Sequence, residues 1–258
     1  PWATRRKGII FLVFFVALLI VIGGPAYFFI QDNPVCNNGV QDGDENGVDC
    51  GGSCQLICKP EILPLITRGE MRVLKIATTT YVASILIENP NIDGEVKRAP
   101  YKISIYTSGT KEPVKTFNRE TYIGRGSTFA LFQEPFTLAG LGPFRAVFEW
   151  GDNLVWEKTE EEPPLLTVDG TDLSQIDSNP KLEAKLINRT EEVISNIEVV
   201  ALLSDVNGNT VASGKTFVDL VSGGESVPIS FNWPEAFEVP PVSIRVLPHV
   251  LPDKSYLR

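Results

Sequence analysis

The pattern of apolar and polar positions divides the chain in two. Its first part is one unbroken apolar run, Gly8 to Ile30 (GIIFLVFFVALLIVIGGPAYFFI), with no charge and no strongly polar side chain. At about 1.5 Å rise per residue, a helix of that length covers the hydrocarbon core of a bilayer. The remainder is polar enough to be soluble. From Met71 onward a period of two dominates. Tyr81, Ala83, Ile85 and Ile87 alternate with Val82, Ser84, Leu86 and Glu88. Tyr101, Ile103 and Ile105 alternate with Lys102, Ser104 and Tyr106, and Phe144, Ala146, Phe148 and Trp150 with Arg145, Val147 and Glu149. Turn residues bound each run, as in Asn89-Pro90-Asn91, Ser108-Gly109 and Gly151-Asp152-Asn153. These runs predict strands, and no stretch after the apolar run carries a convincing helical period.

The run TEEEPP, Thr159 to Pro164, reads as a solvated boundary, and the strand pattern recurs after it. Leu182, Ala184 and Leu186 alternate with Glu183 and Lys185, and Ile197, Val199, Ala201 and Leu203 with Glu198, Val200 and Leu202. Asp205 to Asn209 holds the Asn-Gly pair of a hairpin turn. The two halves read as copies. Asn89 pairs with Asn188 and Phe132 with Phe231 at an offset of 99; Phe144 pairs with Val242 and Gly126 with Gly224 at 98. Two alternating faces per copy imply two sheets packed on one core.

Charge at the flanks orients the apolar run. Arg5, Arg6 and Lys7 precede it and the first charge after it is Asp32. Basic residues stay on the cytoplasmic side, so the N-terminus is expected inside and everything after Ile30 outside. Pro25, in the last turns, is expected to kink the helix. A cleaved signal peptide with Ile9 to Ile22 as its apolar part is the competing reading. The net charge of −9 and pI near 4.8 exclude nucleic acid as an expected partner, since a phosphate backbone needs a basic surface.

Little here suggests catalysis. His249 is the only histidine, lies between Pro248 and Pro252, and reads as a plain surface or edge residue. No G-x-S-x-G, S-x-x-K or H-E-x-x-H occurs. Trp150, Trp156 and Trp233 are expected in cores. Asn188-Arg189-Thr190 matches a glycosylation sequon but reads better as a strand-ending turn.

All four cysteines, Cys36, Cys50, Cys54 and Cys58, crowd into one segment just after the apolar run. Outside a membrane this predicts two disulfides with three possible pairings. A four-thiolate zinc site is the alternative, but the spacing lacks paired CxxC knuckles. Asp32, Asp42, Asp44, Glu45 and Asp49 surround them with no Lys or Arg before Lys59. Such a segment cannot build an apolar core and needs staples or a metal. Crowded carboxylates are relieved by a hard cation such as calcium, which takes six to eight oxygens.

Cys36, Asn38, Gly39, Asp42, Glu45, Asp49, Cys50, Gly51, Gly52 and Cys54 occupy every named position of a pattern C-x-[ND]-G-x-x-[ND]-x-x-E-x-x-x-D-C-G-G-x-C. The segment therefore resembles a short cysteine module of secreted and surface proteins. The resemblance implies an extracellular disulfide knot that binds calcium, with Asn38, Asp42, Glu45 and Asp49 as ligand candidates. In the second copy, LINRT, VVALLSDVNGNTVAS and GGESVPISF resemble FxLYD-type and late-embryogenesis-abundant-type β-sandwiches. The first copy carries the same pattern more loosely, as ILIENPN, APYKISIYTSG and GRGSTFALF. That resemblance implies fold and membrane tethering only, with no shared catalytic residues.

The expected fold is all-β: two tandem immunoglobulin-like β-sandwiches after one N-terminal transmembrane helix and a small disulfide-rich module. The expected bounds are a cytoplasmic N-terminus at 1–7, a transmembrane helix at 8–30, the acidic cysteine module at 31–60, and sandwiches at 61–162 and 163–258. The expected function is a membrane-anchored extracellular structural or interaction protein. It would serve as a stalk or subunit of a surface assembly with protein partners, held in the membrane by residues 8–30. The alternative is a ligand-binding module for lipid or glycan.

Overall fold

A computed structural model describes residues 2–31, 34–138 and 142–252. The final positions of the expected second sandwich, 253–258, lie outside the described residues. The chain divides into a unit of residues 1–62 and a unit of residues 63–258.

Helix α1 spans Trp2–Gln31. It begins before the apolar run because Thr4 to Lys7 continue the helix without a breaker. Residues Arg5–Pro25 are long and apolar enough to cross a membrane, and none of that stretch is buried within the chain. A helix that is apolar all round and covered by no other part of its own chain is suited to lipid. Pro25 lies inside α1, which continues past it.

The second unit is built of strands alone. The first copy contributes β1 (Ile66–Ala77), β2 (Thr80–Glu88), β3 (Gly94–Thr107), β4 (Lys115–Ile123), β5 (Thr128–Thr137), β6 (Phe144–Trp150) and the two-residue β7 (Glu157–Lys158). The second contributes β8 (Leu166–Ser174), β9 (Lys181–Asn188), β10 (Ile194–Ser204), β11 (Thr210–Val221), β12 (Ser226–Asn232) and β13 (Ser243–Val250). One sheet of the first copy has the order β1-β2-β5 and the other β4-β3-β6, with β7 beside the start of β3. The second copy has β8-β9-β12 and β11-β10-β13. Writing β8 to β13 for β1 to β6 turns one arrangement into the other, and every pairing is antiparallel.

The landmark asparagines do the same work in both copies. Asn89 is 1% exposed and Asn188 is fully buried. The Asn89 amide donates to the Gly94 and Gly124 carbonyls, and its oxygen accepts from the Asn91 N–H. The Asn188 amide donates to the Glu192 and Val221 carbonyls, and its oxygen accepts from the Thr190 N–H. Each side chain closes the turn after its strand and ties it to the end of β4 or of β11. With the Asn188 amide nitrogen buried and bonded twice, the sequon reading has no accessible nitrogen, and the turn reading stands. Gly126 and Gly224 also coincide: each has positive φ, and each donates to the carbonyl two residues past its asparagine.

One landmark fails. Ala83 pairs with Gln133, whereas its counterpart Leu182 pairs with Phe231. Phe231 thus corresponds to Gln133, and Phe132 lies on the opposite face of its sheet. The offset drops from 99 to 98 before β5 is reached, and one residue of slip reverses every side chain of a strand.

That reversal has a cause. In β2 and β10 long runs are buried without alternation. Their sheets are covered on both faces, as parallel-type buried strands are. The inner faces line the two cores. The second core gathers Leu182, Leu186, Ile197, Val199, Leu203, Phe231 and Trp233. The outer faces meet each other: Leu86 and Ala130 pack with Val200 and Leu202, and Phe132 and Leu247 close the cluster. Sheet β1-β2-β5 of one sandwich therefore packs on sheet β11-β10-β13 of the other. The Arg72 guanidinium donates to Asn209 Oδ1 at 2.6 Å across the same junction. The expected free linker is partly fixed as well, since the Arg125 guanidinium donates to the Thr159 and Glu161 carbonyls.

Candidate functional site

Three places carry chemistry. The first is the cysteine module. Cys36 bonds Cys54 and Cys50 bonds Cys58, with no free cysteine among the described residues. Asn38, Asp42, Glu45 and Asp49 are brought together, but as acceptors for the main chain. Asp49 accepts the N–H groups of Asn38 and Gly39 at 2.8 and 2.9 Å. Asp42 accepts the Val35 N–H and the Asn38 amide. Glu45, only 6% exposed, accepts the N–H groups of Asp42 and Asp49 and touches Cys54 Sγ. In a segment with almost no apolar core, buried N–H groups need such partners. Among the described residues, the acidic or sulfur ligand atoms that gather within 4.8 Å are those of Cys36, Glu45 and Cys54. Two of these are disulfide sulfurs, leaving a single carboxylate. Calcium needs a shell of oxygens, and a shell drawn from the four candidates would share oxygens that already accept main-chain N–H groups. As placed, the oxygens of these four residues serve the main chain.

The second place is an open groove of about 610 Å³ at one end of β3, β4 and β6. Trp150 and Tyr101 supply aromatic surface, with the rings edge to face at 6.1 Å. Asn118, Arg119, Glu120 and Asp152 supply polar groups. Lys102 and Glu149 pair at 2.8 Å on the wall. The floor is fixed by the Gly151 N–H bond to the Pro100 carbonyl; a Cβ on Gly151 would come within 2.7 Å of the Pro100 ring. Trp156 and Trp233 are core residues as expected, but Trp150 is half-buried here and its buried Nε1 has no acceptor. The period-two pattern placed Trp150 on a core-facing row. It could not show that the row runs out at the sheet end, where Gly151-Asp152 turns the chain away.

The third place is the junction of the sandwiches, and it corrects the reading of His249 as a surface residue. His249 lies on edge strand β13 but is 6% exposed. Its ring stacks on Phe129 at 4.4 Å and on Tyr122 at 6.3 Å, both from the other sandwich. Burial lowers its pKa to about 4, against the opposing effect of a hydrogen bond to the Tyr122 main chain. Beside it Lys215 bridges two carboxylates, Glu198 at 3.1 Å and Glu134 of the first sandwich. Burial pushes the Glu198 carboxyl upward, and Lys215 pulls the other way. The Lys215 ammonium is desolvated too, but the two carboxylates raise its pKa overall. Glu198 reads in the sequence as a solvent-facing position of an alternating strand. Val200 and Leu202, flanking Glu198 on the same face, were the legible sign that this face is covered.

In comparison with known proteins, no family model and no curated protein matches the chain. Among solved structures it is similar to a β-glucuronidase from glycoside hydrolase family 2, at 12% identity and a TM-score of 0.20. The match covers 68% of this chain and 20% of that one, so the chain spans about a fifth of that protein's length. A likeness at that score carries no argument about fold or activity.

Proposed function

We propose that this chain is a membrane-anchored extracellular interaction protein. In this reading α1 holds the protein in the bilayer, the disulfide module follows on the oxidising side, and a fused pair of sandwiches presents its surface to protein partners. The observation that carries it is the co-occurrence of an unburied apolar helix with two disulfides in the adjoining segment. Disulfides persist in oxidising compartments, and Arg5, Arg6 and Lys7 favour a cytoplasmic N-terminus. Protease added to intact cells should remove residues beyond about 60 and spare an N-terminal tag. Full protection of the sandwiches would overturn the orientation, and a mature chain lacking residues 1–30 would replace the anchor with a cleaved signal.

The groove supports a second, compatible reading, in which the first sandwich binds a glycan. Aromatic rings flanked by amide, guanidinium and carboxylate groups are suited to a sugar ring, which offers C–H faces and hydroxyl edges. Titration with a panel of neutral oligosaccharides, followed by tryptophan fluorescence, tests it. A response absent from Trp150→Ala supports the reading, and no response from the intact chain to any member removes it.

A further inference from the structure

We propose that the junction between the two sandwiches is an acid-sensitive latch, closed while His249 is neutral and loosened when it takes up a proton. The geometry makes the cost of that proton local. The His249 ring lies against Phe129 and Tyr122 across the junction, and its Nε2 is buried without a partner. A protonated ring would carry a second N–H donor with nothing to accept it. Separating the sandwiches takes the ring from both aromatic neighbours and returns it to water. The ring faces the junction: Leu247, two residues before it on the same face of β13, closes the junction cluster.

The groups facing His249 set the balance. From β10, Glu198 is its registered neighbour. From β4 comes Tyr122, whose hydroxyl donates to Glu95 at 2.7 Å. From β5 comes the uncharged Phe129 ring. Around Glu198 stand Lys215 of β11, Glu134 of β5, and Tyr101 and Arg119 of the first sandwich. A cleft of about 70 Å³ lies among them. Glu198 is half of an ion pair with Lys215, so it does not neutralise the imidazolium freely.

The signs follow from linkage. A histidine near pH 4 when closed and near its ordinary 6.5 when open binds its proton in the open state first. Closure is therefore fully supported above about pH 6.5 and loses support as pH falls toward 4. By itself this raises the open-to-closed ratio about 30-fold between pH 7.5 and pH 5. Glu198 works in the opposite direction: its carboxyl is raised in the closed state, so taking up a proton favours closure. The wild-type response is the remainder of the two.

An engineered thiol can read the latch in the full chain in detergent micelles, since all native cysteines are bridged. Ala130→Cys places a thiol in the junction cluster, and Ala184→Cys places one in the second core. Labelling rates with a disulfide reagent active in acid are normalised to a free thiol at each pH. Position 130 should label faster as pH falls from 7.5 to 5 while position 184 does not. Adding Glu198→Gln should steepen the rise toward 30-fold. Adding His249→Phe, which keeps a ring against Phe129 and Tyr122, should abolish it, and His249→Asn repeats the test without the ring. An unchanged rise in both His249 variants overturns the proposal, as does equal acceleration at positions 130 and 184.

Discussion

Single side chains in this protein mostly act by closing the main chain. Asn188 shows the scale of the effect. Its amide satisfies two buried carbonyls and its oxygen one N–H, so Asn188→Ala leaves three main-chain groups without partners. Each buried group left unpaired costs about 1–3 kcal/mol, though water entering the gap recovers part. We expect a loss of roughly 2–4 kcal/mol in urea unfolding, and a similar loss for Asn89→Ala. Asn188→Asp should be worse at neutral pH, because a carboxylate offers no N–H to the Glu192 and Val221 carbonyls. If Asn188→Ala is neutral while Asn89→Ala is costly, the two copies do not share this device. The asparagines were legible in the sequence as ends of matching strands. Their distant partners were not, because the Gly124 and Val221 carbonyls stand 35 and 33 residues away.

At the scale of elements, the acidic segment is a loop held by its own carboxylates and two covalent bonds. Gly52 marks how little room it has. Its φ is +53°, and a Cβ there would lie 2.0 Å from the Asp44 carbonyl oxygen. Gly52→Ala should therefore prevent the Cys36–Cys54 and Cys50–Cys58 pairing from forming cleanly on oxidative refolding. Disulfide mapping by mass spectrometry checks this, and native pairing in full yield would show the turn to be more pliable than its geometry indicates. Asp49→Ala separates the two roles considered for the acids. An acceptor for the Asn38 and Gly39 N–H groups should speed amide exchange at both when removed, at zero and at millimolar calcium alike. Slowing of wild-type exchange by calcium, lost in Asp49→Ala, would support the calcium reading. The strands were more legible than the module. Alternation located β2, β3, β6, β9 and β10, because a strand with one wet face writes its burial into its sequence. The module's order depends on carboxylate-to-amide bonds, which leave no periodic trace.

In the unit formed by residues 63–258, two copies of one topology use non-equivalent faces. The first presents β1-β2-β5 and the second presents β11-β10-β13, the counterpart of the other sheet of the first copy. The difference is written in β2 and β10, where Leu86, Val200 and Leu202 stand at positions that alternation alone would assign to solvent. In β3 and β9 the matching faces keep Lys102, Glu183 and Lys185. An apolar face against a charged one decides which sheets pair. The sandwiches should therefore unfold as one cooperative body rather than as beads on a linker. Val200 is fully buried in the junction cluster and lies on the sheet face away from its own core. Val200→Asp puts an unpaired carboxylate against Leu86 and Ala130, at a cost of several kcal/mol to docking. The inner face of β10, with Val199 and Ala201, is untouched by that change. Calorimetry of the wild type should show one transition for this unit, and Val200→Asp should split it in two. One sharp transition in both proteins, at the same temperature, would mean that the junction contributes nothing to the stability of either sandwich.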